Sequence, residues 1–106
     1  MRRLLLVALL LSATASAFAA DPAVTIAIRD HQFVPAEVPV PAGVKVELII
    51  RNEQAERAEF ESSSLHREKV VAPGRQISVS IGPLAPGRYE FFDDFHPATR
   101  GNVIAQ

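Results

Sequence analysis

The chain contains no cysteine among its 106 residues, and this absence limits the chemistry that it can carry. Disulfide bonds, zinc–thiolate sites and a thiolate-ligated copper centre are all excluded. Basic residues do not gather in a stripe, so nucleic acid is not expected as a partner. No hydrophobic period of the helical kind extends beyond two turns, which argues against an α-helical domain.

Residues 1–20 predict a secretory signal peptide rather than a part of the fold. Arg2 and Arg3 precede an apolar run, residues 4–11, that is too short to span a bilayer as a stable helix. Ala17-Phe18-Ala19 then fits the small-x-small pattern of a cleavage site. We therefore expect residues 21–106 to reach the periplasm as one domain that is not embedded in the membrane. The alternative is an uncleaved anchor.

Short alternating segments separated by proline and glycine predict an all-β Greek-key sandwich of seven or eight strands. The clearest strand is Val44–Asn52, with Val44, Val46, Leu48 and Ile50 on one face. Two prolines restrict residues 37–41 to an edge strand or an extended segment. The other predicted strands are residues 24–29, 58–61, 65–71, 76–81, 88–92 and 101–105.

Potential metal ligands follow the predicted strand at residues 88–92. Asp93 and Asp94 come directly after it, and His96 lies three residues beyond Asp93. Glu59 and Glu61 are two residues apart on another strand, so their side chains share one face. Each group also has a simpler interpretation, as a solvent-facing strand residue, a turn residue that caps backbone groups, or a loop histidine.

A set of spaced motifs covers almost the whole chain after residue 20. It consists of Asp30-x-x-Phe33-x-Pro35, Pro41-Ala42-Gly43, Asn52, Pro73-Gly74, Leu84-x-Pro86-Gly87-x-Tyr89-x-Phe91 and Gly101. This pattern resembles the cupredoxin family. In its blue-copper members the terminal strand reads Tyr-x-Phe-x-Cys-x-x-His and is soon followed by methionine.

The resemblance to the blue-copper members fails at the ligands. Asp93 stands at the cysteine place, and only His96 matches. The upstream histidine place falls near Ala58 or Glu59, and the only methionine of the chain is Met1. The comparison therefore argues against a type 1 blue-copper site.

Glu59-Phe60-Glu61, Glu68-x-x-Val71-x-Pro73-Gly74 and the Asp93 loop resemble a narrower group, the cupredoxin-like domains of bacterial periplasmic iron uptake. This group includes the amino-terminal domain of the periplasmic component of the Efe ferrous-iron system and the small cupredoxin of Ftr-type transporters. Its Efe members carry cysteines at the places of Phe33 and Asp93, so the ligand set here differs. The resemblance implies a periplasmic iron-binding protein and an inner-membrane iron permease as partners, with assistance to ferrous-iron oxidation before permeation.

In a cupredoxin-like sandwich the Glu59–Glu61 strand end and the Asp93–His96 loop lie at the same pole. The resemblance thus predicts a metal site of Glu59, Glu61, Asp93 and His96. Three weaker candidates are Asp94, His31 and His66. Carboxylates and imidazole suit an iron ion, Mn(II) or Cu(II), and disfavour Cu(I).

Two other functions compete with this metal-site hypothesis. The chain could instead be a non-redox interaction module of a periplasmic complex, with a degenerate metal site. A stand-alone hydrolytic enzyme is disfavoured, because the sequence shows no nucleophile–base pair and is short for a substrate pocket.

Overall fold

The computed structural model of the protein describes residues 2–12 and 20–106. The predicted cleavage pattern at residues 17–19 lies outside this part of the chain. Residues 2–12 form no helix or strand, and their side chains are exposed. Within the described ranges, we find no helix with the length and hydropathy needed to cross a membrane.

The predicted all-β class is confirmed, and the described residues form nine strands in two sheets. The alternation of apolar and polar residues that marks each strand places one side of it in the core and the other in solvent. The strands are β1 Ala23–Arg29, β2 Gln32–Val34, β3 Glu37–Val40, β4 Val46–Asn52, β5 Ala58–Ser62, β6 Arg67–Val71, β7 Gln76–Ile81, β8 Gly87–Asp93 and β9 His96–Ala105.

The two sheets have the orders β2-β1-β4-β7 and β3-β9-β8-β5-β6. The pairs β1–β4 and β3–β9 are parallel, and all the other pairs are antiparallel. The proline-containing strand β3 lies at a sheet edge, as its sequence predicts. Because β1 and β4 run in parallel, the segments that follow them leave the sheet at the same end of the sandwich.

The core lies between the sheets and centres on three aromatic rings. Phe91 of β8 packs edge-on against Phe33 of β2, with the ring centroids 4.8 Å apart, and lies 5.2 Å from the ring of Phe60 on β5. These contacts connect the two sheets. They also hold β5 and β8 in place, and these two strands carry three of the four main predicted ligands.

Three features differ from the sequence-based prediction. A ninth strand, β2, pairs with β1 because Asp30 and His31 form a tight turn. Val44 is not on the buried face of β4, since the Ala42–Gly43 turn extends past it and leaves it 43% exposed. The last strand begins at His96 instead of Gly101, so the expected ligand loop is a short turn at Asp94 and Phe95.

Candidate metal centre

The turn between β8 and β9 is closed by the side chain of Asp93. Its Oδ1 accepts hydrogen bonds from the backbone N–H of Phe95, at 3.0 Å, and from that of Glu59, at 2.9 Å. The bond to Phe95, two residues further on, is the usual Asx-turn pattern. The bond to Glu59 ties the β8–β9 turn to the start of β5.

The second oxygen of Asp93 faces His96. Asp93 is 1% exposed, and its Oδ2 lies 3.4 Å from Nδ1 of His96. Neither of these two buried atoms has any other polar partner among the described residues. Since buried polar groups are nearly always paired, this contact is the one that each atom has available.

His31 occupies the turn between β1 and β2. Asp30 and His31 both have positive φ, 48° and 56°, as two-residue hairpin turns of the right twist require. The backbone N–H of His31 donates to Oε1 of Gln54 at 2.8 Å, and its carbonyl accepts from the hydroxyl of Thr99 at 2.7 Å. The turn is therefore attached both to the β4–β5 loop and to β9.

Glu56 lies in the loop that follows β4, and Asn52 holds this loop in place. Asn52 is buried, and its Nδ2 donates to the carbonyls of Glu56 at 2.7 Å and of Val71 at 3.1 Å. Its Oδ1 accepts from the backbone N–H of Gln54 at 3.1 Å. The side-chain amide thus supplies hydrogen bonds that a neighbouring strand would otherwise provide to these backbone groups. It thereby fixes the position of the Glu56 backbone.

These turns and this loop bring two imidazoles and a carboxylate together. Nε2 of His31 lies 3.1 Å from Oε1 of Glu56, and Nε2 of His96 lies 3.8 Å from its Oε2. The two imidazole centroids are 4.4 Å apart. We call His31, Glu56 and His96 the histidine group. An open groove beside His31 and Glu56 gives it access to solvent.

A second group consists of carboxylates alone and lies beside the first. Glu59, Glu61 and Asp94 offer oxygen atoms within 4.8 Å of one another, and we call them the carboxylate group. A hydrogen bond with Glu68, burial and the charges of its acidic neighbours raise the pKa of Glu59 to about 7. Burial and the charges of Asp94 and Glu68 raise the pKa of Glu61 as well.

The four main predicted ligands are at the same end of the sandwich but do not form one group. Asp93 lies opposite Phe60 in the β5–β8 register, which puts it on the core face. Glu59 and Glu61 alternate to the other face of the sheet, where Asp94 joins them. His96 is in the histidine group and contacts Asp93. The four main predicted ligands are therefore divided, with Glu59 and Glu61 in the carboxylate group and Asp93 next to the histidine group.

The weaker candidates also separate. Asp94 lies in the carboxylate group and His31 in the histidine group. His66 is in the turn between β5 and β6, at the other end of β5. Glu56 was not predicted, because it lies in a polar segment with no periodic pattern. One signal could have found it. The loop of Glu56 follows β4, and because β4 pairs with β1 in parallel, this loop lies near the turn that follows β1.

The residues present do not fit a thiolate-bound copper ion. By the resemblance to blue-copper cupredoxins, Asp93 stands at the cysteine place, and the upstream histidine place falls near Ala58 or Glu59. They do fit an ion that prefers oxygen and imidazole nitrogen, because Oδ2 of Asp93 and Nδ1 of His96 are buried against each other while Nε2 of His96 faces Glu56.

Comparisons with known proteins agree with this fold. The chain is 51% identical to an uncharacterized protein of Rickettsia prowazekii over 76% of its own length. The match spans 65% of that protein, which is less than two thirds of it. Auracyanin A, a blue copper protein of Chloroflexus aurantiacus, has a TM-score of 0.72 at 14% identity, with 82% of this chain and 100% of that chain covered.

Two further structures show the same sandwich. The metal-binding domain of the Cu(I)-exporting P-type ATPase of Streptococcus pneumoniae, solved with Cu(I), has a TM-score of 0.72 at 14% identity, covering 79% of this chain and 84% of that one. Amicyanin of Paracoccus versutus has a TM-score of 0.65 at 20% identity, covering 79% and 81%. The family model of the cupredoxin-like domain matches residues 2–105, and the chain therefore belongs to that family.

Proposed function

We propose that this protein is a periplasmic metal-binding cupredoxin that assists ferrous-iron uptake by binding Fe(II) or Cu(II). The observation that carries the proposal is the convergence of imidazole and carboxylate side chains at one end of the sandwich, in the histidine and carboxylate groups. The β1–β2 turn, the β4–β5 loop, strand β5, the β8–β9 turn and the start of β9 supply them, so the convergence depends on the tertiary fold and not on local sequence.

The chemistry of these side chains favours iron or Cu(II) over Cu(I). Carboxylate oxygen and imidazole nitrogen are suitable ligands for Fe(II), Mn(II) and Cu(II), whereas Cu(I) prefers sulfur. Anionic ligands also stabilise Fe(III) relative to Fe(II), since the more highly charged ion gains more from each carboxylate. A site of this kind would lower the reduction potential of bound iron, so that an external electron acceptor would oxidise Fe(II) more readily.

The cellular setting of the proposal comes from the sequence. The basic start and apolar run of residues 2–11 support export, and the resemblance to iron-uptake cupredoxins supports a periplasmic iron-binding protein and an inner-membrane permease as partners. Similar folds in the blue copper protein auracyanin A and in the Cu(I)-bound exporter domain support metal binding as a use of this sandwich.

The first test measures metal binding by the protein purified from cells, after any processing of its amino terminus. Calorimetric titrations with Cu(II), and with Fe(II) under anaerobic conditions, are expected to show saturable binding. The spectrum of the copper form is expected to lack an intense thiolate band, because the chain has no cysteine. Absence of saturable binding of either ion would contradict the proposal and favour an interaction module.

The role in uptake is tested in the source cell. Ferrous-iron accumulation is expected to fall when the gene is deleted and to return with the wild-type gene. The double substitution Asp93→Ala/His96→Ala is expected not to restore it, whereas His66→Ala should, since His66 lies at the other end of β5. Full uptake with the double variant would show that metal binding here is not needed.

A further inference from the structure

We propose that His31, Glu56 and His96 hold one divalent transition-metal ion, and that His96 binds it through Nε2. The inference rests on the proposed function only in taking this protein to bind metal. It goes further by naming a ligand that the sequence did not suggest, Glu56, and by assigning the donor atom of His96. It also excludes the carboxylate group from the first-bound ion.

The donor atom follows from Asp93. An ionised carboxylate can only accept hydrogen bonds, and Oδ1 of Asp93 already accepts two. Its buried Oδ2 faces Nδ1 of His96 at 3.4 Å, with no other partner for either atom among the described residues. A proton on Nδ1 would let these two buried atoms satisfy each other, and that tautomer leaves the lone pair on Nε2.

Nε2 of His96 faces the other two members of the histidine group. It lies 3.8 Å from a carboxylate oxygen of Glu56, whose other oxygen is 3.1 Å from Nε2 of His31. A carboxylate that hydrogen-bonds the far nitrogen of a ligating histidine is the common support for such a ligand. Asp93 is in this sense a positioning residue, and not a ligand.

The backbone at His31 provides independent support. Its φ of 56° is unfavourable for a residue with a side chain, and glycine is the preferred residue at this position of such a turn. The bonds to Gln54 and Thr99 use only the backbone of His31, so the turn does not need an imidazole. Unfavourable backbone geometry that the surroundings maintain often marks a functional position.

An ion pair alone does not account for the histidine group. The side chains of His31 and Glu56 are 51% and 49% exposed, and pairs this exposed contribute little to stability. Their imidazole and carboxylate atoms, together with Nε2 of His96, instead match a two-histidine, one-carboxylate ligand set. Such sets suit Fe(II), Cu(II) and Zn(II) and leave coordination positions open, whereas Mg(II) and Ca(II) prefer oxygen alone.

The test compares two variant sets by Cu(II) titration and by electron paramagnetic resonance of the copper form. In the wild type we expect one ion with couplings from two imidazole nitrogens. His31→Gly, Glu56→Gln and His96→Gln should each weaken binding by about tenfold or more. His66→Gln and Glu37→Gln, which remove the same functional groups elsewhere, should bind as the wild type does.

His31→Gly separates a ligand from a structural residue. Because glycine relieves the unfavourable φ, this variant should be at least as resistant to thermal unfolding as the wild type while it loses affinity. Unchanged affinity in His31→Gly would overturn the inference.

Substitutions in the carboxylate group distinguish this inference from the proposed function. Loss of the first-bound ion in Glu59→Gln or Asp94→Asn, with binding intact in the histidine-group variants, would overturn the inference and leave metal binding standing. Failure of the wild type to bind Cu(II), Fe(II) or Zn(II) would overturn both.

Discussion

By the resemblance to blue-copper cupredoxins, Asp93 stands at the cysteine place, and its Oδ1 accepts the backbone N–H of Glu59 and of Phe95. The other oxygen has no counterpart in a thiolate. It faces Nδ1 of His96 and so influences which nitrogen of that ring is available. A carboxylate at this place therefore supplies no soft ligand, and it can influence which nitrogen of His96 binds an ion.

The substitution Asp93→Asn tests this role. Its amide oxygen should keep the two backbone bonds, which places the amide N–H₂ against Nδ1 of His96. The proton of His96 then moves to Nε2, and metal affinity should fall by about 10- to 100-fold while the stoichiometry stays at one. Nitrogen chemical shifts of His96 report the tautomer directly. An unchanged tautomer with unchanged affinity would show that Asp93 does not position His96.

Glu59 is 8% exposed, and its raised pKa makes stability depend on pH. Below the ordinary glutamate pKa of 4.5, Glu59 is neutral in both the folded and unfolded states. Between 4.5 and about 7 only the unfolded chain releases the proton, so the folded state loses stability as the pH rises. Glu61 acts in the same direction.

Glu59→Gln should remove the part of this dependence that Glu59 contributes. Urea unfolding in the presence of a chelator is expected to show the variant more stable than the wild type at pH 8 and similar to it at pH 4.5. Glu37→Gln serves as the control, since Glu37 is on an exposed strand edge and pairs with Arg88. Equal stability of wild type and Glu59→Gln at pH 8 would contradict the raised pKa of Glu59.

At the scale of the element, the packing of β9 against β8 depends on Gly101. A β-carbon at this position would lie 2.5 Å from the ring of Phe91 and 2.7 Å from the carbonyl oxygen of Ala36. Phe91 is fully buried between Phe33 and Phe60, so its ring has no free space to move into. The absence of a side chain here allows β9 to lie close to the core.

Gly101→Ala should therefore destabilise the fold by about 1–3 kcal/mol, the usual cost of overpacking a core. Denaturant unfolding measures this change. Gly74→Ala is the contrasting variant, because a β-carbon there meets nothing within 4 Å and its cost comes only from its φ of 66°. If Gly101→Ala were as stable as the wild type, the β8–β9 packing described here would be incorrect.

Most of the strands could be predicted from the sequence, with β2 as the exception, whereas their registers could not. Alternation of apolar residues identified β1, β4 and β7, and turn residues marked most of their ends. The division of the ligands depends on Asp93 lying opposite Phe60, and a shift of one residue would have put it beside Glu59 and Glu61 instead. Nothing in a single sequence specifies that pairing.

The same limit applies to Glu56 and to the β8–β9 turn. Glu56 approaches His31 because β1 and β4 are parallel neighbours, which is a property of the topology. The short turn after Asp93 depends on a side-chain bond to Phe95, whereas the sequence shows only a polar, proline-containing segment there. Strand patterns are local, but sites assembled from several loops depend on the whole fold.

At the scale of the whole molecule, the histidine group joins the two sheets at one end of the sandwich. His31 follows β1 of the four-stranded sheet, and His96 begins β9 of the five-stranded sheet. Glu56 lies in the connection that crosses between them. A metal ion held by all three would act as a cross-link that exists only in the folded chain.

Metal binding should for this reason raise the thermal stability of the protein. Zn(II) at about 100 times its dissociation constant would add about 2.7 kcal/mol, which corresponds to a rise in Tm of roughly 10–20 °C for a domain of this size. Differential scanning calorimetry with Zn(II), followed by a chelator, measures the shift and its reversal. The shift should persist in His66→Gln and fall to about half or less in His96→Gln, as a tenfold or greater loss of affinity implies. A shift in His96→Gln equal to that of the wild type would place the stabilising ion elsewhere, with the carboxylate group as the next site to test.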